Sequence, residues 1–432
     1  MIPSLLRVGL AVLILAGGCA PVRAQVGAVA EFRSLRTQAV SAANDGDLAL
    51  AATRLAEADA LITNHPGLML LRARVAASDD QPVIAVAQLA RYADAGLTLD
   101  LDTDAALSAL VDTPGYAEVA TRIARNHEPV GADRVSPLAT VPGAVLVESL
   151  VRDAARRRWL VSQVAGRTIV ALDDQGTVTP FLGPDPRVSG VLGLALEPSD
   201  ETLWATTAAL PPATHGQAEA TPAPALLRID VASGRITGTW PAPADGRDRA
   251  FGDLVRGPDG SLFIADGTAG EILRLRPGAA ALETLVAAGT FGSPQGMVVT
   301  PDGRALIVAD YSSGLWRVDL GRGAATPLAA PADASLIGID GLTTDGRSLY
   351  AIQNGTRPQR ILKLIPDSEW TRLTAVTTLA ANLPTLDEPT TGLVDRGRLV
   401  FVARSQWSDF ADDGSLRAGP PAPALIVQLQ LD

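Results

Sequence analysis

The stretch SPQGMVVTPDGRALIVAD, residues 293–310, decides the fold. It is typical of a short apolar strand, a Pro-Asp-Gly turn and a second apolar strand that ends at Asp310. Asp-Gly between two apolar runs is a strong hairpin signal, because glycine readily adopts the positive φ that such turns require. Residues 314–320 (GLWRVDL) predict a third strand and residues 325–328 a short fourth. Four antiparallel strands in roughly 45 residues are typical of one propeller blade.

The same unit recurs along the chain. Asp259-Gly260 lies 43 residues before Asp302-Gly303, and Asp345-Gly346 lies 43 residues after it. Three weaker copies of the turn are expected at Asp153, Ser199-Asp200 and Arg396-Gly397. Six turns at this spacing predict a six-bladed β-propeller over residues 135–432, and the spacing does not support a seventh blade.

The sixth copy lacks a fourth strand. Residues 425–431 (LIVQLQL) form only the third predicted strand of this blade. Residues 135–141 (VSPLATV) form a predicted strand that precedes the first blade and belongs to none of the six units. Pairing the two segments would satisfy both exposed edges and close the ring.

Residues 26–130 change to an alanine- and leucine-rich pattern of helical period. Residues 45–56 align with residues 79–90 at an offset of 34, the period of a tetratricopeptide helix pair. This part is therefore expected to be a small α-helical domain similar to tetratricopeptide repeats. Two roles stay open for it: a concave face for a protein partner, or a cap or spacer packed on the propeller. No catalytic cluster is found in it.

Residues 1–24 are typical of a signal peptide, with a positive charge at Arg7 followed by a short apolar run. Cleavage before Gln25 and lipoprotein processing at Cys19 both fit the sequence. Either way the protein is expected to be exported, periplasmic or secreted, with a membrane anchor only if Cys19 is lipidated. A net charge of −11 argues against binding to nucleic acid or to an anionic membrane surface.

The innermost strand of each blade lines the channel of a propeller. Aligning the six copies on their turns gives equivalent channel positions, with Glu388 just upstream in the sixth blade: Glu148, Leu192, Gly252, Gln295, Asp340 and Thr391. Glu148 and Asp340 are expected to converge with Gln295 between them. Two converging carboxylates repel each other, and a hard cation such as Ca²⁺ relieves that repulsion through oxygen ligands. The alternative is that the two carboxylates bind no metal ion and are hydrated or accept hydrogen bonds from backbone amides.

The segment from Glu148 to Ser162, the PQGM run at 294–297 and IDGL at 339–342 resemble blades of the regucalcin/gluconolactonase family. The resemblance implies a six-bladed propeller, metal ligation by Glu148, Gln295 and Asp340, and a proton-transfer role for Asp340. It also implies, more loosely, that Arg249 binds substrate. Gln295 departs from the asparagine that the family places there, and the family's third-blade asparagine is missing near residue 251.

The last two blades carry further polar loops on the same face. Asn354 and Arg357 belong to the first loop, and Arg404 and Gln406 to the second. These four are candidate substrate-binding residues, since an arginine can hold a carboxylate or a developing oxyanion. The insertion at residues 208–224 is either a lid or an unstructured loop.

The sequence thus predicts a metal-dependent hydrolase that acts on a lactone or another small-molecule ester, with Asp340 or Glu388 as the proton acceptor. A non-enzymatic propeller that binds a ligand or a protein is the main alternative. A third is a metal-free propeller similar to strictosidine synthase, in which Glu388 does the acid–base work. No Gly-x-Ser-x-Gly elbow or phosphate-binding glycine loop is present, which disfavours serine hydrolases and nucleotide enzymes.

Overall fold

The computed structural model describes residues 27–143, 145–199, 201–217 and 222–431. The expected signal peptide and Cys19 lie outside these ranges. Six helices precede the propeller: α1 (Ala28–Asn44), α2 (Leu48–Leu61), α3 (Pro66–Ser78), α4 (Pro82–Asp94), α5 (Ala105–Ser108) and α6 (Tyr116–Asn126). No helix of the described part is long and apolar enough to cross a bilayer.

Six four-stranded antiparallel sheets follow, as predicted. Blade 1 consists of β2 (Val147–Asp153), β3 (Arg158–Gln163), β4 (Thr168–Asp173) and β5 (Val178–Leu182). Blade 2 consists of β6 (Gly190–Leu196), β7 (Thr202–Ala208), β8 (Ala225–Asp230) and β9 (Ile236–Pro241). Blade 3 consists of β10 (Phe251–Arg256), β11 (Leu262–Asp266), β12 (Glu271–Leu275) and β13 (Glu283–Val286). A short helix, α7 (Pro211–Thr214), lies within blade 2.

Blades 4 to 6 complete the ring. Blade 4 consists of β14 (Pro294–Val299), β15 (Ala305–Asp310), β16 (Gly314–Asp319) and β17 (Ala325–Pro327). Blade 5 consists of β18 (Ile339–Thr344), β19 (Leu349–Gln353), β20 (Arg360–Pro366) and β21 (Leu373–Ala381). Blade 6 consists of β22 (Gly392–Asp395), β23 (Arg398–Arg404) and β24 (Ala424–Gln430), with β1 (Val135–Val141) on its outer edge. β1 pairs antiparallel with β24, from Val135 opposite Leu429 to Val141 opposite Ala424. The predicted ring closure is therefore confirmed.

The propeller core lies between neighbouring blades, where apolar side chains of adjacent sheets interdigitate. Glycines let the innermost strands approach still more closely. A Cβ atom at Gly296 would lie 2.4 Å from the backbone nitrogen of Leu342, and one at Gly341 would lie 2.3 Å from the carbonyl oxygen of Thr390. Each of these glycines directly follows a predicted channel residue, so close packing of the strands brings the preceding side chains to the axis.

The helical region contacts the propeller from the loop before blade 4 to the loop between blades 5 and 6, where Arg33, Asn64 and Asn382 each donate a hydrogen bond across the boundary. α1 packs against α2, and α3 packs against α4. The 34-residue offset seen in the sequence is the distance along the chain from the start of α2 to the start of α4. At the contact with the propeller, buried Arg360 donates to the carbonyl oxygens of Ala95 (2.8 Å) and Gly96 (3.2 Å), just past the end of α4. A guanidinium there satisfies carbonyls that the helix leaves unpaired and suits the negative end of its dipole. Burial lowers the pKa of Arg360 to about 10.

Candidate active site

A cavity of about 360 Å³ opens at the channel, on the face where the first strand of each blade begins. Its lining includes predicted residues from all six blades, namely Glu148, Leu192, Gly252, Gln295, Asp340, Asn354 and Glu388, together with Tyr311 and Trp407. Thr391 lies behind this wall, where its hydroxyl donates to the carbonyl oxygen of Glu148 at 3.0 Å. The turn-based alignment therefore identified side chains that the fold does bring together.

Glu148 is buried in the cavity wall. Its Oε2 accepts a hydrogen bond from Trp407 Nε1 at 2.7 Å, and Trp407 belongs to a 3-10 helix in the long loop of blade 6. Burial, reinforced by the charge of Asp340, raises the pKa of Glu148 well above its ordinary value, while the Trp407 hydrogen bond opposes the rise. The carboxyl group is held in place but its charge has no cationic partner among the described residues.

Asp340 lines the same cavity as Glu148. Asn354 Nδ2 donates to Asp340 Oδ2 at 2.6 Å and to the carbonyl oxygen of Pro389 at 3.0 Å. Burial raises the pKa of Asp340 to about 6. The hydrogen bond from Asn354 lowers this pKa, and the negative charge of Glu388 raises it further. Asn354 thus orients Asp340, and its own Oδ1 is buried without a hydrogen-bond partner.

Glu388 sits in the loop before β22, with a left-handed backbone (φ 52°). Its backbone is fixed on both sides, because its N–H donates to Gln359 Oε1 at 2.9 Å and its carbonyl oxygen accepts from Ser405 Oγ at 2.7 Å. Burial raises the pKa of Glu388, although a hydrogen bond from the Ser408 backbone opposes the rise. Oε2 of Glu388 is buried and accepts no hydrogen bond.

Sequence reasoning missed two groups at the site. Asp253 directly follows the channel position Gly252, and burial, together with the charge of Asp340, raises the pKa of Asp253 to about 7. Tyr311 directly follows Asp310 at the end of β15, and burial raises the pKa of Tyr311 to about 12, so its phenol is a proton donor at neutral pH. A Cβ atom on Gly355 would lie 2.6 Å from the Tyr311 hydroxyl, so glycine makes room for the ring there. The available signal for Asp253 was its position next to Gly252, and for Tyr311 it was its position at the end of the second strand of blade 4.

Arg249 does not line the cavity. Its guanidinium donates to Asp266 Oδ2 (2.9 Å), to Asp245 Oδ2 (2.8 Å) and to Glu271 Oε1. Burial by itself lowers the pKa of Arg249, but these bonds outweigh it and raise the pKa. The loosely implied role in substrate binding is therefore replaced by a structural one, because the group is already surrounded by carboxylates.

Two other candidates from the polar loops are also engaged elsewhere. Arg404 donates to Asp387 Oδ2 at 3.3 Å and does not line the cavity. Gln406 is buried and uses both ends of its amide on backbone groups: Val145, Leu146, Gly143 and Ala422. It fastens the loop that carries Trp407 to the start of blade 1, so we remove it and Arg404 from the substrate-binding set. Arg357 lies beside the cavity, in a second cleft considered below.

The donor atoms of the cavity suit a hard cation. Glu148, Asp340 and Gln295 offer carboxylate and amide oxygens, the ligands that Ca²⁺ prefers. Gln295 Nε2 is bonded to Ser293 Oγ at 3.0 Å, which leaves its oxygen available. Within the described ranges, no three histidine, cysteine, aspartate or glutamate side chains are grouped closely enough to bind a metal ion. The protein would therefore supply part of a coordination shell, with water or substrate completing it.

A scan against protein-family models found no match, and a search of curated proteins found none. Among solved structures, the chain is similar to a gluconolactonase from Xanthomonas campestris (19% identity, TM-score 0.49, 70% of this chain and 91% of that one). It is also similar to the calcium-binding protein regucalcin from Agrobacterium tumefaciens (17%, 0.46, 68% and 95%) and to virginiamycin B lyase from Staphylococcus aureus (15%, 0.44, 66% and 80%). The resemblance to gluconolactonase- and regucalcin-like propellers is confirmed as a likeness of fold, and it carries no conclusion about activity.

Proposed function

We propose that the protein is a hydrolase of a lactone or small ester, with a divalent cation, Ca²⁺ by its ligand chemistry, held by Glu148, Gln295 and Asp340. One observation carries the proposal: the carboxyl groups of Glu148, Asp340 and Glu388, all with raised pKa values, line one cavity. No lysine or arginine of the described residues is paired with Glu148, with Asp340 or with the neighbouring Asp253. Buried carboxylates without partners are costly, and they persist where they serve a function.

The cation, when bound, would polarise the carbonyl group of the substrate as a Lewis acid. Glu388 is the better placed of the two candidate bases, because its Oε2 is free whereas Asp340 Oδ2 already accepts from Asn354. Its raised pKa brings it nearer to neutral pH, as a general base requires. Tyr311 is the donor that we assign to the carbonyl oxygen.

Glu388 both accepts the proton and returns it in the proposed reaction. Its carboxylate takes a proton from water as the water oxygen bonds to the carbonyl carbon. The ester C–O bond then breaks, and the Glu388 carboxylic acid returns the proton to the leaving oxygen. The products are those of hydrolysis, a hydroxy acid from a lactone, and Glu388 ends as it began.

The Glu388→Gln variant tests this assignment. We expect kcat for lactone opening to fall by about 10²- to 10⁴-fold, the usual contribution of a general base. The melting temperature and calorimetric Ca²⁺ binding are expected to stay close to wild type, because Glu388 is not assigned as a ligand. Glu369→Gln, an exposed glutamate of the same type, is the matched control. Unchanged kcat in Glu388→Gln, or no hydrolysis of any lactone by wild type with Ca²⁺, Mn²⁺ or Zn²⁺, contradicts the proposal.

A metal-free acid–base site is the second candidate. It is favoured by the raised pKa values of Asp340 (about 6) and Asp253 (about 7), since protonation also removes the repulsion among the carboxylates. Activity that survives exhaustive chelation yet depends on Glu388 would support it.

A further inference from the structure

A second cleft, of about 550 Å³, lies where the helical region meets blades 5 and 6. Leu99, Asp100 and His127 line it from the helical side, and Arg357, Gln359 and Asn382 line it from the propeller. The two walls are fastened to each other, because the backbone N–H of Thr98 donates to the carbonyl oxygen of Arg357 at 2.8 Å. The cleft is thus formed only by the two parts of the chain together.

Arg357 is the unusual member of this lining. Its side chain is exposed and makes no hydrogen bond or ion pair with the residues that the structure describes, and Asp100 across the cleft forms no ion pair with it. Its backbone, in contrast, is fixed by the Thr98 contact. A guanidinium in a concave site without a carboxylate partner offers a planar pair of donors to an anion.

The cleft adjoins the channel cavity, because Gln359 of one lining is hydrogen-bonded to Glu388 of the other. Gln359, in the wall of the cleft, accepts the backbone N–H of Glu388 at 2.9 Å. The charge of Arg357 lowers the pKa values of both Glu388 and Tyr311, which line the channel cavity, so it acts across the boundary between the two spaces. The two spaces are therefore neighbours, and a molecule that passed over the contact between Gln359 and Glu388 would occupy both.

We propose that the cleft binds an anionic group of the substrate, and that Arg357 makes the protein selective for lactones that carry a free carboxylate. This inference rests on the proposed function and names its substrate class. The four channel carboxyl groups repel an anion, whereas Arg357 attracts it at the rim, so the two effects favour the same orientation. The carboxylate lies outward in the cleft and the ester lies inward beside Glu388.

Two lactones that differ only in this group give the test. Glucaro-1,4-lactone carries a free carboxylate where glucono-1,4-lactone carries a hydroxymethyl group. We expect wild type to favour the former in kcat/KM, and Arg357→Gln to lose about 10- to 100-fold on it, the value of a charge-assisted hydrogen bond. The loss should appear mainly in KM, and activity on glucono-1,4-lactone should change less than about twofold, since that ligand makes no ionic contact.

Arg347→Gln is the matched control, because it removes the same charge from the same blade. Arg347 is exposed in the turn between β18 and β19, at the end of the strands opposite Arg357, and it should behave as wild type on both lactones. Arg357→Lys is expected to recover part of the preference. Equal loss on both lactones in Arg357→Gln, or no loss on either, overturns the inference.

Calorimetric binding of gluconate and of uncharged glucitol, without added divalent cation, separates this inference from the proposed function. These open-chain compounds differ by one carboxylate and require no turnover. Tighter binding of gluconate that is lost in Arg357→Gln supports the anion site even if wild type hydrolyses no lactone. Hydrolysis of both lactones without any preference, and equal binding of gluconate and glucitol, overturns the anion site and leaves the hydrolase proposal standing. Absence of both binding and hydrolysis overturns both.

Discussion

The protein contains two buried groups of carboxylates, and only one of them includes a cation. In blade 3, Asp266 and Glu271 surround the guanidinium of Arg249, which Asp245 contacts from the outside. Glu148, Asp340 and Glu388 line the channel cavity without such a cation, and the charge of nearby Asp253 acts on Glu148. The pKa values of all four channel carboxyl groups are raised, with burial as the largest cause in each.

The difference separates a structural cluster from a functional candidate. A buried carboxylate needs a counter-charge, a proton or a metal ion to offset its desolvation. The blade 3 cluster carries its counter-charge in the chain, at Arg249. The channel cluster must take its compensation from solution, so its protonation, its stability and its ligand affinity are coupled.

The largest effect is expected where the compensated cluster loses its cation. Arg249→Met would leave the fully buried carboxylates of Asp266 and Glu271 without their guanidinium, at a cost of about 3–5 kcal/mol in the free energy of unfolding. Urea denaturation at pH 7.5 measures it. A loss smaller than about 1 kcal/mol would remove the distinction between the two clusters, since Arg249 would then not be needed for compensation.

A divalent cation bound by the channel carboxylates should stabilise the folded protein by less than Arg249 does. At a Ca²⁺ concentration 100 times its Kd, mass action adds about 2.7 kcal/mol to the free energy of unfolding. Wild type should show this gain in calorimetric melting curves, and Asp340→Asn should lose it because a carboxylate ligand is gone. Glu369→Gln is again the control. Equal stabilisation of wild type and Asp340→Asn would place the cation elsewhere.

The pH dependence of stability provides a third comparison. Asp253 has a pKa of about 7 in the folded protein and an ordinary value near 3.8 when unfolded. Between these values the folded state keeps a proton that the unfolded state has lost, so this group makes stability fall as pH rises from about 4 to 7. The slope is at most about 1.4 kcal/mol per pH unit.

Asp253→Asn should remove that contribution, and the variant should exceed wild type in stability most at pH 8. Denaturation at pH 4, 6 and 8 with a chelator present measures the difference. A wild-type-minus-variant difference that is constant across these pH values would mean that Asp253 does not hold its proton.

The smallest effect is expected at the exposed edge of the blade 3 cluster. Arg247 is 52% exposed and lies 3.5 Å from Asp245 and 3.6 Å from Glu271. Arg247→Met should cost less than about 1 kcal/mol, because exposed ion pairs are weak. Since the substitution matches Arg249→Met in type, the two urea midpoints together show whether burial of the arginine decides its contribution. Equal losses would argue against burial as the cause.

Much of the site was predictable because propeller blades are equivalent. Once the Asp-Gly turns established the register, the alternation of strand residues placed Glu148, Gln295 and Asp340 at the same level of the channel. The engagement of Arg249, Arg404 and Gln406 was not predictable. A side chain in a loop is assigned to substrate or to structure by its neighbours in space, and those neighbours lie up to 263 residues away, as for Gln406 and Gly143.

The sequence by itself determined six blades, the pairing of the two strand ends and a helical region before the ring, because turn chemistry and side-chain periodicity are local properties. Only the tertiary structure decided which charges are compensated. It buried Arg249 among carboxylates, left Arg357 unpaired in a cleft between helices and propeller, and gathered four acidic side chains from blades 1, 3, 5 and 6. Electrostatic free energy depends on distance and burial in space, and neither can be obtained from spacing along the chain.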